Sequence, residues 1–155
     1  MSSINRVEQA LRAHDQDYQI KQLDESAHTA SQAAFALGCD VAQIVKSLVF
    51  KTCDSEQAVL ALISGDKRLD INKLAAVLNQ RLDKANAEYV KSVTGFSIGG
   101  VAPVGSISPL PVYMDKTLLK HDRVWAAAGH PKAIFEINPQ HLLMITAATA
   151  LDLTG

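Results

Sequence analysis

Two β-rich runs joined by a short polar turn constrain this chain more than any other feature. Residues 44–52 read IVKSLVFKT, residues 58–64 read AVLALIS, and CDSEQ lies in the turn between them. Runs of Val, Ile, Leu and Phe bounded by polar residues favour strands. A parallel pair would need a crossover of a dozen or more residues, so two strands this close form an antiparallel hairpin. Gly65-Asp66 ends the second strand. The hairpin supplies a large apolar surface that the rest of the chain must cover.

The flanking segments read as helices and further strands. Residues 3–14 form an amphipathic helix with Ile4, Val7 and Leu11 on one face and Ser3 as N-cap. Residues 18–23 alternate like a short strand. Thr29 or Ser31 caps a second helix that stops at Gly38. Asp70 caps a helix over 70–79, and another helix falls near 86–93. Residues 111–115, 123–129 and 133–137 read as strands, with a tight turn at GHPK between the last two. Asn138 and Pro139 open a final helix over 138–145. No repeat and no βαβ series is present, so the expected architecture is a single α+β domain spanning residues 1–155 with a mixed or antiparallel sheet.

Composition narrows the function. The net charge is −1 and the isoelectric point is about 6.5. A protein gripping a long stretch of nucleic acid carries a basic excess, so any RNA contact must involve a short end or a local patch. Lys46, Lys51, Lys67, Arg68, Lys73, Arg81 and Lys84 could form such a patch, or be scattered solvated charges. Cys39 and Cys53 have no zinc-binding spacing. The five histidines form neither HxH nor HExxH, so no metal is expected. No nucleotide-binding glycine motif occurs, so no cofactor is expected either. The N-terminus lacks an apolar signal core and no run is long enough to cross a membrane, which predicts a cytoplasmic protein.

Three features invite a chemical reading. Gly95 to Gly99 fits G-x-S-x-G, but Ser97 is followed by a Gly- and Pro-rich stretch that cannot open the helix a nucleophile elbow requires. Lys46 sits in an otherwise apolar run and shares a strand face with Ile44, Leu48 and Phe50. A cation on an apolar wall can hold a phosphate or a developing oxyanion; a snorkelling edge-strand lysine is the alternative. Gly99-Gly100-Val101-Ala102-Pro103 forms the third feature. Its glycines let backbone N–H groups approach a ligand and its proline stiffens the loop, although Gly-Gly also serves plain turns.

These blocks, in order, are QIVKSLVF, VLALISGDKRLDINKLAAVL, TGFSIGGVAPVG, LPVYMD and VWAAAG. Their sequence and spacing resemble the YbaK/EbsC family over about residues 20–150. That family contains free-standing aminoacyl-tRNA deacylases and the editing domain of bacterial prolyl-tRNA synthetases. The resemblance implies a mixed, curved, partly barrel-like sheet flanked by helices. It implies hydrolysis of the ester between a mischarged amino acid and the 3′ end of a tRNA, often that for proline. The partners it implies are the aminoacyl-tRNA 3′ CCA end and prolyl-tRNA synthetase. A non-catalytic accessory module of the same fold, docking on tRNA or synthetase, is the alternative.

Carried over residue by residue, Lys46 matches the family's lysine, and Gly99 and Pro103 match its GxxxP loop. Lys46, Gly99 and Gly100 are then the expected catalytic groups. Ser47, Val101, Pro103, Gly129, His130 and His28 are the expected substrate-binding residues. Some cysteine-specific members carry a carboxylate in the block before the last helix. Here that place is held by Ile134, which argues against cysteine.

Overall fold

The computed structural model describes residues 2–14, 18–25 and 29–155. Helix α1 (Ser3–Ala13) begins at Ser2, whose hydroxyl accepts from the Asn5 N–H at 3.2 Å, so the cap lies one residue before the expected Ser3. Strand β1 (Ile20–Gln22) and helix α2 (Ala30–Leu37) follow. Of the two cap candidates for α2, Thr29 takes the role, and Gly38 ends the helix in the left-handed conformation. A 3₁₀ turn at Val41–Gln43 leads into the hairpin, β2 (Val45–Thr52) and β3 (Ala58–Ser64). Its register pairs Val45 with Ser64 and Lys51 with Ala58, antiparallel throughout.

Beyond the hairpin lie α3 (Ile71–Leu78), β4 (Leu82–Lys84), α4 (Ala87–Thr94) and β5 (Val112–Asp115). After a 3₁₀ turn come β6 (Val124–His130), β7 (Ala133–Ile137), α5 (Pro139–Thr146) and β8 (Thr149–Leu151). The strands divide into two sheets where a single sheet was expected. One has the order β1-β7-β6 and is antiparallel; the other has the order β4-β2-β3-β5-β8 and is mixed. Their link is a parallel bridge between Ile44 and Trp125. The described strands do not close into a barrel.

Strand β3 is buried along its whole length because both of its faces are covered. Ala58, Leu60 and Leu62 face the main core with Phe96, Met114, Phe135 and the α1 residues Val7 and Leu11. Val59, Ala61 and Ile63 face a second cluster closed by Leu74 and Leu153. A buried carboxylate ties the chain's end to this sheet: Asp115 accepts from the Leu153 N–H at 2.8 Å and the Thr117 N–H at 3.2 Å. No helix among the described residues is long and apolar enough to cross a membrane.

Candidate active site

A cleft of about 490 Å³ opens where the two sheets part, within the roughly 300–1,000 Å³ of small-molecule sites. Its walls come from four places: the start of β2 (Ile44–Leu48), the adjoining parts of β6 and β7 (Trp125–Ala127, Ala133, Ile134), α2, and the loop at Ile98, Gly99 and Val101. His130 and Pro131 close one rim. The lining is mostly apolar, so its few polar groups stand out.

Lys46 is half-buried at the start of β2 and lies opposite Ile63 in the ladder. Its ammonium donates to the backbone carbonyl of Lys67 in the turn after β3. Burial pushes its pKa below the ordinary lysine value and the positive charge of Arg68 pushes the same way; Asp66 opposes them. Of the seven basic residues, Lys67 and Arg68 lie beside Lys46. Lys51 is engaged elsewhere with Glu56 at 3.5 Å and the Tyr89 ring. Lys73 pairs with Asp152 at 3.0 Å.

Ser47 belongs to the opposite face of β2. With a period of two, Val45, Ser47 and Val49 form one row, and both valines sit in the main core. A hydroxyl therefore occupies a core-facing position, at the place where that row reaches the cleft. Its oxygen is buried and has no hydrogen-bond partner among the described residues. Such a group costs free energy unless something satisfies it.

The loop after α4 forms the facing wall. Gly99 and Val101 line the cleft, and among the described residues neither backbone N–H makes a hydrogen bond. The structure gives Gly100 a different part from the one expected. Its N–H donates to the Ser97 carbonyl at 3.0 Å and so is not available to a substrate. A Cβ at this position would come within 2.8 Å of the His130 Cα and 2.9 Å of its N. Gly100 thus lets the loop lie directly on the turn that carries His130.

That turn is itself irregular. The β6–β7 register slips between Ala127 and His130, a bulge of the kind that re-aims a side chain. His130 Nδ1 accepts from the Lys132 N–H at 3.0 Å. In the neutral ring the proton is then on Nε2, which offers a donor at the rim. Gly129 packs against Ser3 of α1, and Pro103 is buried in the loop; neither lines the cleft. His28 lies outside the described residues.

Ser97 is exposed, in the loop that follows α4, with no strand before it and no helix after it. That excludes a nucleophile elbow at this position. The cleft also draws on residues not expected from the sequence: Thr29, Ala30, Ser31, Ala33 and Leu37 at and in α2, with Trp125 and Pro131. The run of small residues in SQAAFALG was the available signal: a helix with alanines on its inner face leaves room beside the sheet.

The chain belongs to the aminoacyl-tRNA editing domain family, which it matches over residues 24–145. EbsC of Enterococcus faecalis, provisionally assigned as a Cys-tRNA(Pro)/Cys-tRNA(Cys) deacylase, is 27% identical over 81% of this chain and 77% of its own. The proline–tRNA ligase of Thermosipho melanesiensis is 33% identical over 80% of this chain, which covers 22% of the ligase. A crystal structure provisionally assigned as a trans-editing enzyme for prolyl-tRNA synthetase superposes with a TM-score of 0.93. It shares 43% identity over 100% of this chain and 98% of its own.

Proposed function

We propose that this protein is a trans-editing aminoacyl-tRNA deacylase, which hydrolyses the ester between a mischarged amino acid and the 3′ adenosine of a tRNA, with tRNA for proline the expected carrier. The observation that carries this reading is the unpartnered, buried Ser47 hydroxyl in the lining of an apolar cleft that also includes Lys46. A buried polar atom without a partner is what a site prepared for a polar ligand presents. The names of the relatives point the same way.

An aminoacyl ester is already activated, so its hydrolysis needs positioning more than a strong nucleophile. Lys46 holds the terminal phosphate or the ester carbonyl. The Gly99 and Val101 N–H groups, on the facing wall, receive the oxyanion as water attacks the carbonyl carbon. The C–O bond to the ribose then breaks, and the ribose oxygen takes a proton. Ser47 and His130 Nε2 hold the amino acid. Lys67 and Arg68, exposed beside Lys46, attract the phosphates of the CCA end, and a near-neutral protein needs no more than this local corner. Walls of Ala126, Ala127, Ala133 and Ile134 suit a small, uncharged side chain. Apolar pockets of this kind separate neighbours by only about 1–3 kcal/mol per methylene.

A panel of mischarged tRNAs tests the proposal. At least one is expected to release its amino acid and leave intact tRNA, and Ser97→Ala is expected to do so at the wild-type rate. If no member of the panel is hydrolysed, the protein is a binding module and not a deacylase.

A further inference from the structure

Arg6 lies on the first turn of α1, outside the cleft and outside the residues that match the editing domain. Its guanidinium nevertheless grips both ends of the loop that forms the cleft's second wall. Nε donates to the Gly105 carbonyl at 3.1 Å, and Nη2 to the Gly95 carbonyl at 3.0 Å. The Gly95 carbonyl also accepts from the Ser3 hydroxyl at 3.2 Å. The guanidinium carbon lies 5.2 Å from the centre of the Phe96 ring, which is fully buried beneath it.

The glycines at the loop's ends fit this arrangement. A Cβ at Gly95 would come within 2.4 Å of Arg6 Nη2, and one at Gly105 within 2.9 Å of the Val7 N. Both ends therefore lie flat against α1. Among the described residues Arg6 has no carboxylate partner; its polar contacts are two neutral backbone carbonyls and one hydroxyl. A charge placed this way fixes geometry and neutralises nothing. The planar guanidinium holds its donors in a fixed fork, Nε for one carbonyl and Nη2 for the other; a lysine ammonium carries three rotatable donors on one nitrogen and sets neither the spacing nor the plane of the two carbonyls.

Resting on the deacylase reading, we infer that Arg6 is a positioning residue, a latch from α1 that sets the loop so that the Gly99 and Val101 N–H groups face the reacting ester. Between Gly95 and Gly105 the loop has no helix or strand of its own, so its shape is set by what holds its ends. Donors to an oxyanion act on the transition state, so misplacing them lowers kcat and leaves KM near its original value.

The test compares wild type with Arg6→Lys, Ser3→Ala and Ala10→Gly, each assayed well below its Tm. Ala10→Gly weakens α1 through helix propensity and removes none of the hydrogen bonds to the loop, and is the control for mere loss of stability. Arg6→Lys is expected to lower kcat at least about tenfold with KM within about twofold, and to speed amide exchange at Gly100 and Ile107, whose N–H groups bond the Ser97 and Thr94 carbonyls in and beside the loop. Ser3→Ala, which keeps the guanidinium, shifts both readouts the same way by less, and replaces Arg6→Lys should that variant not fold. Ala10→Gly lowers Tm and keeps wild-type kcat. The latch is overturned if Arg6→Lys keeps wild-type kcat and exchange, or if kcat falls only as far as Tm predicts from Ala10→Gly. If wild-type protein hydrolyses no mischarged tRNA, the deacylase reading falls, and amide exchange alone decides: faster exchange in Arg6→Lys supports the latch, and unchanged exchange overturns it.

Discussion

The two walls of the cleft are built in opposite ways. The β2 wall is held by a continuous main-chain ladder to β3, seven residue pairs long, and its chemistry is in side chains, Lys46 and Ser47. The loop wall has no ladder. It is held by tertiary contacts, Arg6 at its ends and the His130 turn under Gly100, and what it offers is backbone. A side chain on a strand can be exchanged with little harm to the fold. A backbone donor on a loop depends on every contact that fixes the loop. Substitutions should therefore separate activity from stability on the first wall and damage both together on the second.

The largest effect is expected on the strand wall. Lys46→Ala should lower the rate of deacylation by about 10²–10³, the usual cost of losing one preorganised electrostatic partner, with little change in Tm. Single-turnover kinetics and a thermal melt check both halves of that statement. Gly100→Ala comes next and belongs to the loop wall. The new methyl group would meet His130 backbone, which cannot swing aside. A cost of about 1–3 kcal/mol is expected, or about 2–4 °C in Tm for each kcal/mol at this chain length. Activity should fall with it, as both the loop and His130 shift.

Ser47→Ala gives a smaller change and a sharper contrast. Removing a buried hydroxyl without a partner should leave stability unchanged or slightly raised, because the folded protein no longer buries an unsatisfied group. The same change removes one hydrogen bond to the substrate, so kcat/KM should fall about 2–10-fold. A loss of stability in this variant would show that the hydroxyl serves the fold.

The smallest effect is on pH dependence. Lys46 must be cationic, and its pKa is depressed by burial and then by Arg68. Activity should therefore fall as pH rises through a value below that of an ordinary lysine. Arg68→Ala removes a repulsion and should move this alkaline limb upward. Asp66→Asn removes an attraction and should move it downward. Rate profiles of the three proteins test the order.

This contrast also explains what the sequence revealed. The hairpin, α3 and α5 were readable because period and caps are local signals. Asp70 and Asn138 accept from the N–H groups of Asn72 and Gln140, two residues on. Ser47 entered through the family resemblance alone, although a polar residue between Val45 and Val49 was a local signal for it. β4 and β8, three residues each, were not; LDK and TAL have no distinctive period and become strands only by pairing with β2 and β5. The division into two sheets depends on where Ile44 meets Trp125, a contact that no local pattern encodes. The grip of Arg6 spans 89 and 99 residues of sequence. Without it, the Gly99–Pro103 loop could be recognised by resemblance, but its shape could not be derived.

Substrate is expected to lie between these two walls. The most direct measurement is an amide chemical-shift map with a non-hydrolysable, amide-linked aminoacyl-adenosine. The largest shifts are expected at Lys46, Ser47, Gly99, Val101 and His130, and are expected to disappear in Lys46→Ala. Shifts confined to residues away from this cleft, or an unchanged map in Lys46→Ala, would contradict it.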